Sequence, residues 1–275
     1  MPVRIVQSKQ NARLKELRRA LAQPSRSLAG IEGPNLLVEA LRARLPIHCV
    51  FVAQGSEHLL EAVKLPAETE VLLLSEALLT SALATEAPQP VAALVEPLPW
   101  TWRDLLESSD GPETTLIVIL AGLQDPGNLG AILRSAEAFG ASGVVALPGT
   151  ANEWNPKTVR ASAGSVFRMP LVAAGVDKCF AHLRQAGVKI WTTAVHSAEA
   201  AHCVDLAGPV ALLIGNEGSG VPQALAAQAD GALTIPCPGP VESLNAAVAA
   251  SVLLYEASQQ RSARQVSRNV QEGRR

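Results

Sequence analysis

The sequence predicts an α/β protein: a carboxyl-terminal domain built on a mostly parallel sheet, preceded by a smaller α/β domain. Three observations predict it. From Thr115 onward, short apolar runs alternate with segments whose apolar residues recur at helical spacing, the pattern of a parallel sheet covered on both faces. Three of those runs, ending near Ala121, Ile214 and Ile235, open into loops rich in glycine or proline, as strand ends do where open α/β sheets bind ligands. Ahead of Pro97 the same alternation runs through roughly a hundred residues, enough for one small core.

In the amino-terminal domain, residues 1–97, a basic helix is expected from Ser8 to about Ala22, with Leu14, Leu17 and Leu21 on its packing face; Pro24 ends it. Ser27–Gly33 reads as a strand reaching a glycine turn, and Pro34–Arg44 as a helix with Leu36, Leu37, Ala40 and Leu41 on one side. Ile47–Ala53 is a buried strand, Glu57–Val63 a helix, Val71–Leu74 a strand, Glu76–Leu83 a helix and Pro90–Val95 the last strand. Residues 98–112, with Pro99, Gly111, Pro112 and the pair Ser108-Ser109 around a short polar helix, suit a linker.

In residues 113–263 strands are expected near Thr115–Ala121, Gly143–Leu147, Val188–Thr193, Val210–Ile214 and Ala232–Ile235. Helices are expected near Leu129–Phe139, Pro156–Ala163, Val176–Ala186, Pro222–Gln228 and Leu244–Gln260. Ser243 is a good N-cap for the last of these, which places Asn245 inside a largely apolar helix. The arginine-rich tail, 264–275, reads as disordered unless a partner orders it.

Composition excludes several classes. The chain has 275 residues, 48% hydrophobic and 17% charged, with a formal charge of −2, so it is globular and carries no overall polyanion-binding signature. Charge is nevertheless clustered: Arg4, Lys9, Arg13, Lys15, Arg18, Arg19 and Arg26 near the start, and Arg261, Arg264, Arg268, Arg274 and Arg275 near the end. Such clusters are usually solvated helix faces and signal a polyanion only when something else does. Cys49, Cys179, Cys203 and Cys237 lack paired spacing, and His48, His58, His182, His196 and His202 share no ligand-like helix face, so no metal is expected and the cysteines are read as reduced. No apolar run reaches membrane-spanning length and the start lacks a signal-peptide core, which points to the cytoplasm.

The loops carry the chemistry. Ile235-Pro236-Cys237-Pro238-Gly239-Pro240-Val241-Glu242-Ser243-Leu244-Asn245 can form neither ladder nor helix over its prolines, so it is a stiff strand-to-helix turn. Leu212-Leu213-Ile214-Gly215-Asn216-Glu217-Gly218-Ser219-Gly220 and Gly122 through Gly130, opening the helix of Arg134, repeat the arrangement. One such turn is ordinarily a mere connection; three alike are not. A dinucleotide fingerprint, a phosphate-binding Gly-Lys-Ser/Thr loop and a Gly-x-Ser-x-Gly elbow are all absent.

Asn128-Leu129-Gly130-Ala131-Ile132-Leu133-Arg134, Ile214 to Gly220 and Ile235 to Asn245 resemble the three ordered motifs of the SpoU/TrmH family, the ribose 2'-O-methyltransferase branch of the SPOUT superfamily. Lys157 to Gly164 resembles a further family segment, and Gly30-Ile31-Glu32-Gly33 with its following helix is similar to the ribosomal-protein-like RNA-binding domain of members acting on ribosomal RNA. The resemblance implies a trefoil knot in the carboxyl-terminal domain, a homodimer, an RNA substrate and S-adenosyl-L-methionine as methyl donor. It implies that Gly215, Ile235 and Leu244, with Leu213, Asn216, Pro236 and Gly239 beside them, hold the donor, and that Arg134, with Asn128, Glu217, Ser243 and Asn245, serves catalysis. Cys237 stands where methionine is frequent in the family, and Ala246-Ala247 where valine and serine are usual. The function implied is 2'-O-methylation of ribosomal RNA. The alternatives are a tRNA methyltransferase and an inactive RNA-binding assembly factor of the same fold.

Overall fold

The computed structural model describes residues 3–61, 63–83, 85–107, 114–195, 198–241 and 243–272; linker residues 108–112, His196, Glu242, Arg274 and Arg275 lie outside them. The chain divides into two compact units, residues 1–99 with 152–168, and residues 100–151 with 169–275.

The first unit begins with β1 (Val3–Val6), α1 (Ala12–Ala22), β2 (Ala29–Glu32), α2 (Pro34–Arg42) and β3 (Ile47–Ala53). It continues with β4 (Glu70–Leu74), α3 (Glu76–Thr80) and β5 (Val91–Val95). Its sheet runs β1-β4-β3-β5-β2, with β5 antiparallel to both neighbours and the other pairs parallel. α1 starts later than expected because Asn11 accepts the Leu14 amide and caps it; Leu14, Leu17 and Leu21 are all buried, as the spacing predicts. Gly33, at φ +107°, turns β2 into α2, where Pro34 occupies the first helical position. β1 was not anticipated: its four residues pair only with β4 at the sheet edge, and Val3 and Ile5 face outward. The helix expected at Glu57–Val63 is a single 3-10 turn, Glu57–Leu60.

The remaining elements are α4 (Trp102–Leu106), β6 (Leu116–Leu120), α5 (Pro126–Ala138), β7 (Gly143–Ala146), α6 (Pro156–Ala161), β8 (Leu171–Ala173) and α7 (Val176–Gln185). After these come β9 (Lys189–Thr193), β10 (Glu199–Ala200), β11 (Val210–Ile214), α8 (Gln223–Ala226), β12 (Gly231–Thr234) and α9 (Ala246–Glu272). α6 belongs to the first unit. The second unit's sheet is wholly parallel in the order β10-β12-β9-β11-β6-β7-β8. β6 and β11 are buried along their whole length, which explains why they read as continuous apolar runs. The short strands β8 and β10 escaped the sequence reading; each forms only against a neighbour.

Two expectations about α9 need correction. It begins at Ala246, not Leu244, and the tail is helical through Glu272 instead of disordered. Tertiary anchors hold the helix as far as Arg264. Arg261 donates to the carbonyls of Thr114, Leu206 (3.1 Å), Thr115 (3.0 Å) and Gly208 (2.6 Å), and Arg264 pairs with Asp205 at 3.1 Å. Burial pushes the Arg261 pKa down to about 10, which leaves the guanidinium charged at neutral pH. Gln260 adds bonds to the Leu206 amide and the Val204 carbonyl.

Candidate active site

The glycine-rich turn after β11 has its conformation dictated at its first residue. Gly215 is buried, and a Cβ there would lie 2.2 Å from the Gly220 carbonyl carbon and 2.3 Å from the Val221 nitrogen, so no other residue fits without moving main chain. Asn216 and Gly220 exchange main-chain hydrogen bonds at 3.1 and 2.9 Å. The Asn216 side chain accepts from the Gly218 amide and donates to the Gly122 carbonyl, each at 2.9 Å, tying this turn to the loop after β6.

That second loop opens α5. Asp125 caps the helix by accepting the Asn128 amide at 2.9 Å, which sets Asn128 in the first turn. From there a hydrogen-bonded chain crosses all three loops: Asn128 Nδ2 donates to Glu217 Oε1 at 2.8 Å, and Asn245 Nδ2 donates to Asn128 Oδ1 at 3.1 Å. Asn245 Oδ1 accepts the Ala247 and Val248 amides at 2.9 and 3.3 Å. Asn245 is therefore the N-cap of α9, which corrects both the assignment of that role to Ser243 and the placing of Asn245 inside the helix. The cap also sets the direction of the chain: with its oxygen held by helix amides, Asn245 can only donate toward Asn128, whose own amide group is left to face the carboxylate.

The loop after β12 has another character. Ile235 is half-buried, and Pro236 through Val241 are exposed, as are Ser243 and Leu244. The main-chain amides of Cys237, Gly239, Val241 and Leu244 donate to no described residue, which leaves them available to a ligand. β9 lies between β11 and β12, so Leu213–Gly215 and Ile235 stand about 10 Å apart, two strand spacings. The end of β9 closes that gap: Thr193 donates to the Leu213 carbonyl at 3.0 Å, and the Ala194 amide to the Leu233 carbonyl at 2.9 Å. Thr193 and Ala194 thus lie between the ends of β11 and β12. Sequence reasoning passed over them because their strand exit carries neither glycine nor proline and only the strand order places it there.

Arg134 stands apart. It is exposed on α5, about 9 Å along the axis from Asn128 and some 240° around it, and hydrogen-bonds no described residue. Ser243 likewise bonds none. The structure thus joins Asn128, Glu217 and Asn245; Leu213, Gly215 and Asn216 stand at the end of β11, and Ile235, Pro236, Gly239 and Leu244 follow β12, two strands away. It leaves Arg134 and Ser243 unengaged. One face of the unit is apolar and open: Leu244, Val248, Val252 and Tyr255, at three- and four-residue spacing, are 36%, 49%, 41% and 51% exposed. In the first unit Lys15, Arg18 and Arg19 face outward on α1, whereas Arg13 is paired with Glu16 and Glu70. Among the described residues no group of three or more His, Cys, Asp or Glu side chains is placed to hold a metal ion.

Comparison with known proteins bears on this arrangement. Residues 115–255 match the SpoU rRNA Methylase family, and residues 31–101 match the family described as RNA 2'-O ribose methyltransferase substrate binding. The chain is similar to the 23S rRNA (guanosine(2553)-2'-O)-methyltransferase RlmP of Bacillus subtilis, with 31% identity over 91% of this chain and 97% of that one. Among solved structures it resembles the SpoU methyltransferase AviRb of Streptomyces viridochromogenes in complex with AdoMet, with a TM-score of 0.79 and 30% identity over 92% of this chain and 98% of that one. It also resembles an AdoMet-bound rRNA methyltransferase of Sinorhizobium meliloti, with a TM-score of 0.80 and 31% identity over 94% and 98% of the two chains.

Proposed function

The chain belongs to the SpoU rRNA methylase family, and from that premise we propose that its three neighbouring loops hold S-adenosylmethionine while Asn128, Glu217, Asn245 and Arg134 present a ribose 2'-hydroxyl to it. It is an RNA 2'-O-ribose methyltransferase that uses S-adenosylmethionine and acts on ribosomal RNA. The observation that carries the residue assignments is the hydrogen-bonded chain Asn245–Asn128–Glu217, which binds the three motifs into one surface.

The free amides of Cys237, Gly239, Val241 and Leu244 suit the polar edge of an adenine, and the prolines between them hold those donors in place before binding, which lowers the ordering cost. Gly215 and Leu213 form the floor, Asn216 locks it, and Ile235, Pro236 and Gly239 form the opposite wall. Bound S-adenosylmethionine supplies an electrophilic methyl group on a sulfonium centre. The chain's task is to bring the 2'-oxygen in line and to take up its proton, and positioning of that kind supplies much of the rate. Glu217 is the anionic acceptor that the relay presents. Asn128 and Asn245 hold it and the ribose in orientation, and Ser243, beside the cap, is a further donor to the sugar. Arg134, always protonated, is a poor base and a good phosphate clamp.

The basic face of α1 supports RNA backbone contact by the first 97 residues, joined through 98–112 to the methyltransferase domain, 113–263, and the basic end of the chain, 264–275. The open apolar face of α9 supports a homodimer, since a stripe of that kind on one helix is covered in most stable proteins. The insertion of β11 between β9 and β6, followed by the return of α9 onto α5, supports the trefoil knot. No helix among the described residues is long and apolar enough to cross a membrane, and action on ribosomal RNA supports a cytoplasmic site.

The test is calorimetric binding of S-adenosylmethionine together with transfer of labelled methyl into ribosomal RNA. Arg134→Ala is expected to bind the donor as wild type does and to transfer methyl about 100-fold more slowly. Wild-type transfer by that variant removes Arg134 from the mechanism, and a wild-type protein with no saturable heat is an assembly factor instead.

A further inference from the structure

The first unit holds a feature that methyl transfer does not use. Glu32, at the end of β2, is only 6% exposed. Its Oε1 accepts from the Thr85 hydroxyl at 2.7 Å and from the Gln89 amide at 2.9 Å, while the other carboxylate oxygen accepts from no described residue. Two donors fill the lone pairs of Oε1, so Oε2 is open to the cavity. Glu32 lines a cavity of about 260 Å³ whose walls include Leu21, Pro156, Asn155 and Arg160. Apolar side chains, a buried acceptor and a cation therefore meet in one space. Its volume falls just under the range of about 300–1,000 Å³ common for small-ligand pockets, room for a single ring system and not for a folded RNA element.

We propose that this cavity receives one unpaired guanine of the RNA, distinct from the methylated nucleotide, an inference that rests on the RNA-methyltransferase reading above. The oxygens of a carboxylate accept hydrogen bonds and donate none. Guanine places N1–H and N2–H side by side, so both donors converge on the open oxygen. Adenine and cytosine offer one amino group beside an acceptor nitrogen, and uracil offers the single N3–H between two carbonyls that the carboxylate repels. Leu21 and Pro156 cover the faces of the ring. Arg160, exposed at the rim and without a described hydrogen-bond partner, takes a flanking phosphate. Lys157 shares the rim but is already engaged. Glu32 also lies within the residues that match the substrate-binding family.

The full-length protein is titrated, by fluorescence anisotropy, against a short labelled uridine-rich RNA carrying one central guanosine, and against the same RNA with inosine or uridine at that position. Guanosine is expected to bind about tenfold more tightly than either, since inosine lacks the N2 donors. Glu32→Gln keeps an oxygen for Thr85 and Gln89 but turns an amide donor into the cavity, and it should lose that preference while melting like wild type. Arg160→Gln should weaken all three RNAs alike and lower the salt dependence by about one counterion. Equal binding of the three RNAs by wild type, or a preference that survives Glu32→Gln, overturns the proposal. Methyl transfer measured on the same preparations separates the readings: transfer without base preference rejects the pocket alone, and preference without transfer rejects the methyltransferase assignment.

Discussion

Two loops of the second unit follow strands separated only by β9 and are stiffened by opposite means. The turn from Gly215 to Gly220 is braced from outside itself, by the Asn216 bond to the Gly122 carbonyl, and from within, by the paired main-chain bonds of Asn216 and Gly220. Apart from the Cys237 thiol, which donates to the Ile235 carbonyl at 3.4 Å, the loop from Pro236 to Val241 makes no hydrogen bonds to described residues; its order comes from proline rings, which hold φ whether or not anything is bound. The first loop has spent its polar groups on structure and offers shape. The second has kept its amides unpaired and offers donors. A pocket that must grip a ligand through main chain needs both, since a wall made only of satisfied amides has nothing left to give and a wall of unsatisfied ones needs a fixed partner to press against.

The sharpest way to break this contrast is Gly215→Ala. The added Cβ meets main chain, not a movable side chain, so the turn must open. Loss of S-adenosylmethionine binding and a fall in stability of about 3 kcal/mol are expected, read by calorimetry and chemical denaturation. A variant that binds and unfolds like wild type would show that the turn is pliable. Next in size is Asn245, which serves both loops through one side chain. Asn245→Ala should lower stability by about 1 kcal/mol as a lost cap and slow methyl transfer about tenfold; Asn245→Asp keeps the cap but cannot donate to Asn128, so the rate should fall while the melting temperature stays. If both variants transfer at the wild-type rate, the relay has no part in catalysis. The smallest effect belongs to Pro240→Ala. Freeing that loop should weaken donor binding two- to fivefold, since the loop must then be ordered on binding, and lower stability by no more than about 0.4–1 kcal/mol of added unfolded-chain entropy. A larger loss of stability would mean that the proline ring packs as well as stiffens.

Much of the fold was legible because its causes are local. Ile47–Ala53 and Val210–Ile214 are strands over the ranges expected, for their apolar runs are bounded by proline and glycine. The strands that were missed, Val3–Val6, Leu171–Ala173 and Glu199–Ala200, lie at or near sheet edges, and each exists by pairing with a strand remote in sequence. The start of α9 shows the limit of local reasoning most clearly. Ser243 and Asn245 are both good caps; Asn245 holds the position in a structure where its amide also reaches Asn128, a partner more than a hundred residues away. The helical tail has the same origin, since Arg261 finds its carbonyl acceptors only once Thr115, Leu206 and Gly208 have been brought beside it.

The order of residues by itself determined where the chain must stiffen, bend and expose main chain, because glycine and proline act on their own φ and on their own amides. Folding decided which of those bends meet. β9 had to come between β11 and β12, and α9 had to return onto α5, before Asn128, Glu217 and Asn245 could meet. The reason is one of range: backbone preference is felt within a few residues, whereas a hydrogen bond between remote side chains exists only after the sheet and helices have carried both partners to within about 3 Å.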